Sequence, residues 1–197
     1  MTTPGPDLIL ASTSPYRREL LARLQQPFLT LAPEVDETPQ PGETPLALSH
    51  RLALAKAHAI AAQHPQAWVI GSDQVCDWDG RSLGKPGTPD KAAEQLAMLS
   101  GQSVIFRTAV AVVCQRLNFE ACEVVSIDVR FRSLSSAQIQ TYLAREPAHD
   151  CAGSAKSEGL GIALLEWVRS DDPTALVGLP LLATCRLLRQ AGFEPLS

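Results

Sequence analysis

The segment Ser12-Thr13-Ser14-Pro15-Tyr16-Arg17-Arg18 gathers three hydroxyls and two guanidiniums around what reads as the start of a helix. Ser14 suits the N-cap and Pro15 the first helical position. Both arginines then fall in the first turn. There a cation opposes the positive end of the macrodipole, at a cost of about 0.3–1 kcal/mol each. An anion would relieve that cost, and free backbone N–H groups beside hydroxyls and guanidiniums make a phosphate site. Spacing alone equally allows a solvated surface pair.

Other segments fit the same chemistry. Leu48, Leu52, Lys56 and Ile60 follow one another at i+4, so a lysine interrupts an apolar helix row; it either snorkels to water or meets an anion. Asp73 follows the apolar run Val69-Ile70-Gly71 and sits at a strand's carboxyl end, where open α/β sheets bind ligands. Glu34, Asp36 and Glu37 follow the preceding strand. Carboxylates from two such ends suit Mg²⁺ or Mn²⁺, which prefer hard oxygen ligands. Read alone, Asp73 is a turn aspartate and residues 34–37 are a solvated acidic loop. Gly84-Lys85-Pro86 lacks the spacing of a Walker loop and alone reads as a turn. The small residues from Ala152 to Gly161 let a ligand approach the backbone, and they enclose Lys156 and Glu158.

These residues need strand ends and helix starts to position them. Short strands are expected at Asp7–Ala11, Phe28–Leu31 and Ala67–Gly71, the last running into Ser72-Asp73-Gln74. Helices are expected over Tyr16–Leu24, from Thr44-Pro45 to about Gln63, and from Thr88-Pro89 to about Leu99. Residues 33–45 read as a loop, and Asp79-Gly80 as a hairpin turn. Val104–Cys114 and Val124–Phe131 read as long strands flanking Asn118. Ser135 with Gln138 forms a capping box for a helix to about Glu146. Gly159–Trp167 is strand-like and Leu179–Gln190 is a final helix. Alternating elements followed by paired long strands predict a mixed α/β architecture, with one sheet or two lobes around a cleft.

The 197 residues suit one domain, spanning 1–197. A net charge of −4 excludes a dedicated nucleic-acid binder, which carries a basic surplus. The longest apolar run, Ala175–Cys185, is about half the ~20 residues a membrane span needs. The start does not read as a signal peptide. Five cysteines without a C-x-x-C predict reduced thiols in a cytoplasmic protein rather than a thiol redox enzyme. Basic residues are mostly arginine; of the four lysines (Lys56, Lys85, Lys91, Lys156), all but Lys91 fall in the segments described above.

Taken in order, the S-T-S-P-Y-R-R start, A-P-E-V-D-E, L-A-L-A-K-A, G-S-D-Q-V, G-K-P and A-G-S-x-K-S-E-G-x-G resemble the Maf-like nucleotide pyrophosphatases over nearly the whole chain. The most similar subgroup is the 7-methyl-GTP pyrophosphatases. The resemblance implies a fold like that of inosine-triphosphate pyrophosphatases, with a mixed twisted sheet flanked by helices. It also implies cleavage of a nucleoside triphosphate to monophosphate and pyrophosphate, a divalent cation (Mg²⁺ or Mn²⁺), and a homodimer. By the same resemblance Asp73 is the proton acceptor, and Glu34 and Asp73 lie near the metal. Ser12, Ser14, Arg17, Arg18, Lys56 and Lys85 bind phosphate, while Tyr16, Gln74 and Glu158 sort substrates. The subgroup usually carries tryptophan where this chain has Tyr16, and the family often has glycine at the position of Ala109. N7-methylguanine is cationic, so an aromatic face and a carboxylate suit it. Alternative readings are a dTTP or UTP pyrophosphatase and a non-catalytic nucleotide sensor that restrains cell division.

Overall fold

A computed structural model describes residues 8–196. Asp7 of the first expected strand lies outside them. Seven strands, β1 Leu8–Ala11, β2 Leu29–Leu31, β3 Trp68–Trp78, β4 Arg81–Leu83, β5 Ser103–Cys114, β6 Phe119–Phe131 and β7 Leu165–Arg169, form one mixed sheet. Its order is β2-β1-β3-β5-β6-β7, with β4 also paired to β3. Among the described residues five α-helices accompany it: α1 Pro15–Ala22, α2 Pro45–Ala61, α3 Pro89–Leu99, α4 Ser136–Arg145 and α5 Leu181–Gln190. No helix among the described residues is long and apolar enough to cross a membrane.

Local chemistry sets most helix starts. Ser14, Thr44 and Thr88 each cap a helix that begins with proline, and each side chain accepts a backbone N–H from three residues on. Ser135 and Gln138 form the expected reciprocal capping box. Helix α5 is capped from a distance instead: the carboxylate of Asp172, only 2% exposed, accepts N–H bonds from Leu182 and Ala183 at 2.8 and 3.2 Å. The helix therefore starts at Leu181 rather than Leu179. The stretch from Gly159 is only partly strand, since Leu160–Leu164 is a 3₁₀ turn ahead of β7.

Strand β3 differs most from the sequence expectation. It continues through Asp73 to Trp78, because it pairs with β5 along nine positions from Val69 to Asp77. What ends near Asp73 is β1, whose parallel pairing with β3 stops at Ala11 opposite Gly71. On that side β4 picks up only at Cys76. Residues 72–75 thus have a sheet neighbour on one side alone, and a gap opens beside them.

The two sheet faces carry different layers. One packs Leu20, Leu96, Ile139, Leu187 and their neighbours from α1, α3, α4 and α5 against Ile70, Phe106 and Ile127. The other is covered by α2, through Ala53, Ala57, Ile60 and Ala61 against Val69, Ala109 and Ala111. Small residues let α2 lie close on β3. A Cβ at Gly71 would stand 2.7 Å from the Ala57 backbone nitrogen and also strike the Ala53 carbonyl. That approach brings Lys56, one residue before Ala57, down to the strand. Gly71→Ala is therefore expected to force α2 off the sheet. Overpacking of this kind costs about 1–3 kcal/mol, or a fall of roughly 2–12 °C in Tm for a domain of this size. Thermal unfolding that matches the unsubstituted protein would contradict this account.

Candidate active site

A cavity of about 580 Å³ opens at the gap between β1 and β4. Its charged centre is an ion-pair chain. Lys56 Nζ lies 2.7 Å from Asp73 Oδ1 and 2.7 Å from Glu37 Oε1. Lys56 and Asp73 are each 6% exposed. Burial pushes the Asp73 carboxyl above the ordinary aspartate value, against the pull of Lys56 and Arg17. Burial also works to raise Glu37, but the Lys56 hydrogen bond, with the charges of Lys56, Lys85 and Arg17, holds it below its ordinary value. Among the described residues, the hydrogen bond given for the Asp73 side chain is at Oδ1, from Lys56 Nζ. No buried side-chain oxygen is left without a partner, so Oδ2 faces the open cavity.

Cations stand around this pair. Arg17 lines the cavity, with burial lowering its pKa against the opposing charges of Asp73 and Glu37. Lys85, on the loop after β4, reaches the same space. Ser12 and Ser14 form the turn into α1: Ser14 N–H donates to Ser12 Oγ at 3.1 Å, and Ser14 Oγ accepts from Arg17 N at 3.4 Å. Arg18, one residue on, is exposed and does not line the cavity. Adjacent helical positions point about 100° apart, so only one of the two arginines can face inward.

The acidic loop also divides. Glu34 is exposed and outside the cavity wall, whereas Glu37 reaches Lys56. Arg51 on α2 holds the loop in place by pairing with Glu43 at 2.6 Å and donating to the Thr38 carbonyl at 3.1 Å. This pairing draws the Glu43 carboxyl down to about 2. Residues 33–45 carry no periodicity, so nothing in the sequence distinguishes Glu37 from Glu34.

The opposite wall is the turn Ala175–Gly178, fastened from three elements. Arg17 Nε and Ser72 Oγ both donate to the Gly178 carbonyl, at 2.8 and 3.0 Å. Thr108 Oγ1 donates to the Ala175 carbonyl at 3.0 Å. Gln74 Nε2 lies 3.0 Å from each of Thr108 Oγ1, Ala175 O and Leu176 O. Two of these acceptors are carbonyls, which fixes the amide orientation. Gln74 lines the cavity, and its oxygen is the polar atom left to it. Asp73 and Gln74 are consecutive in a strand and so serve opposite sheet faces. The cavity reaches both because it sits at the gap.

Tyr16 lines the cavity, and Glu158 does not. Glu158 is exposed on the 155–159 loop, though crowding there and nearby Glu146 leave its carboxyl above the ordinary value. Cys151 also lines the cavity, but burial pushes its thiol up to about 12, so it remains a poor nucleophile. Among the described residues no three His, Cys, Asp or Glu side chains gather as a metal cluster. The Asp73–Glu37 pair nevertheless suits Mg²⁺, which needs only one or two carboxylates when water and substrate phosphate complete its shell. A larger hollow of about 800 Å³ lies on the uncovered part of the sheet. Two of its lining cations are already paired, Arg107 with Asp77 and Arg130 with Glu166.

A family model described as Maf-like protein matches residues 7–191. The chain belongs to the Maf-like family. Relatives named 7-methyl-GTP pyrophosphatase include one from Polaromonas sp., 58% identical over 98% of this chain and 88% of its own length. Another, from Albidiferax ferrireducens, is 58% identical over 96% of this chain and 95% of its own. A third, from Bordetella pertussis, is 54% identical over 98% and 96%. In this Maf-like chain the Gln74 contacts carry a direct prediction. Gln74→Glu places an oxygen against two carbonyls, leaving buried acceptors unpaired at a cost of about 1–3 kcal/mol. Chemical denaturation is expected to shift by that amount, with Gln74→Met milder; a neutral Gln74→Glu would refute the fastened turn.

Proposed function

We propose that this chain hydrolyses 7-methyl-GTP to 7-methyl-GMP and pyrophosphate. The reaction rests on one observation: two carboxylates share a buried ammonium in a cavity rimmed by Arg17 and Lys85. Water adds its oxygen to phosphorus at the α–β linkage, the bridging bond breaks, and pyrophosphate leaves. Asp73 Oδ2 orients that water and takes its proton. Its raised pKa makes it a stronger base than an ordinary aspartate. Lys56, Lys85 and Arg17 neutralise phosphate charge, and the Ser12–Ser14 turn supplies hydroxyls beside the helix start. Asp73 and Glu37 would hold Mg²⁺ or Mn²⁺, which when bound polarises the phosphate and acidifies water.

Tyr16 and the relatives' names support the choice of base, since an aromatic face attracts the cationic 7-methylguanine ring more than neutral guanine. The enzyme is expected to act in the cytoplasm, in accord with its five free thiols, and as a homodimer. Pyrophosphate release from a panel of 7-methyl-GTP, GTP, dTTP and UTP, with Mg²⁺ or Mn²⁺, tests the reaction. The methylated nucleotide should lead, and no release from any of the four would end the proposal. Asp73→Asn should lower kcat by about 10²–10⁴-fold.

The two neighbouring arginines give a sharper contrast. Arg17→Ala should raise KM by roughly ten-fold or more, the worth of a charge-assisted hydrogen bond. Arg18→Ala, at an exposed position, should leave KM within about two-fold. Similar effects from both substitutions would refute the division of labour in the first turn of α1.

A further inference from the structure

The aromatic wall of the cavity already has a cation against it. Lys156 Nζ lies 5.5 Å from the centre of the Tyr16 ring and 3.0 Å from Asp150 Oδ1. The first distance is within cation–π range. The lysine side chain is 13% exposed, and the Asp150 side chain 52%. The lysine's backbone is fixed on two sides. Its N–H donates to Tyr142 Oη at 3.0 Å, and Gly161 packs on it so closely that a Cβ would collide. Tyr16 and Asp150 line the cavity, whereas Lys156 does not. The ammonium stands beside the ring and the acid, and the cavity wall is made by those two rather than by the lysine.

We infer that the Asp150–Lys156 pair sets the charge preference of the base platform. The ammonium beside Tyr16 engages the ring's quadrupole and repels a second cation brought to that ring. The Asp150 carboxylate, on the cavity wall, offsets that repulsion. Lys156 restrains the preference for a cationic base, and Asp150 sustains it. This inference rests on the proposed function, because the pair discriminates only where the base stacking on Tyr16 is cationic. Asp150, unlike Glu158, lines the cavity in which that base would lie.

A purely structural role makes a different prediction. If Lys156 only propped the ring, its loss would weaken charged and neutral bases alike. Calorimetric titration with 7-methyl-GMP and GMP, which differ by one methyl group and its charge, separates the two. Lys156→Met should raise the preference for 7-methyl-GMP over GMP by roughly two- to five-fold, the span of an exposed cation–π contact. Asp150→Asn should lower it. Equal changes for both nucleotides, or the opposite signs, overturn the inference. Hydrolysis of 7-methyl-GTP by the unsubstituted enzyme with unmoved ratios defeats this inference alone. Ratios that move as expected without hydrolysis defeat the proposed function alone, and failure to bind either monophosphate defeats this inference alone.

Discussion

An ammonium taken out of water must find counter-charges, and the site is organised around that requirement at Lys56. Removing one partner of a buried pair leaves a costly orphan charge. Asp73 on β3 and Glu37 on the 33–44 loop meet the requirement together, each at 2.7 Å. Three elements are thereby tied at one atom. The loop, which has no regular structure of its own, gains a fixed point; Arg51 gives it a second through Glu43 and Thr38. Phosphate oxygens are alternative partners for the same ammonium, so ligand can replace one set of counter-charges with another.

The sheet's topology decides where this happens. β3 is shared between a parallel neighbour, β1, and an antiparallel one, β4, and the change of partner leaves Ser72–Val75 open on one side. A strand running past the end of its neighbour offers side chains of both faces to one cavity. Asp73 meets the reaction side through α2, while Ser72 and Gln74 hold the opposite wall. Gly71 is where the helix comes closest, and its missing side chain sets the height of Lys56 above the strand.

Features governed by neighbouring residues were legible in the sequence. The caps at Ser14, Thr44, Thr88 and Ser135 follow from hydroxyls placed just before proline or three residues before glutamine. The apolar row interrupted by Lys56 was legible as well, because helical spacing alone puts it beside Leu52 and Ile60. The C-terminal half of β3 was not, since the apolar run ends at Gly71 and the polar Asp73, Gln74 and Asp77 are made strand by their pairing with β5. Glu37 could not be told from Glu34 in a loop without periodicity, nor Arg17 from Arg18 without the helix's orientation. Asp172 caps a helix ten residues away, a contact that no local pattern announces. Lys156 stood out only as a charge among small residues; its position beside Tyr16 depends on Tyr142, fourteen residues earlier.

The fastened turn at Ala175–Gly178 bears on the order in which the protein is made. Its donors, Arg17, Ser72, Gln74 and Thr108, are translated long before it, with separations of 161 residues for Arg17 and 67 for Thr108. Lys56 and Asp73, with the strands β1, β3 and β5 around them, all lie within residues 8–114, far ahead of residue 175. Until that turn arrives, the Arg17 guanidinium has no carbonyl to fix it, and the amide of Gln74 is free to rotate. Synthesis thus delivers the residues of the charged chemistry first and those of the wall that shapes the cavity last.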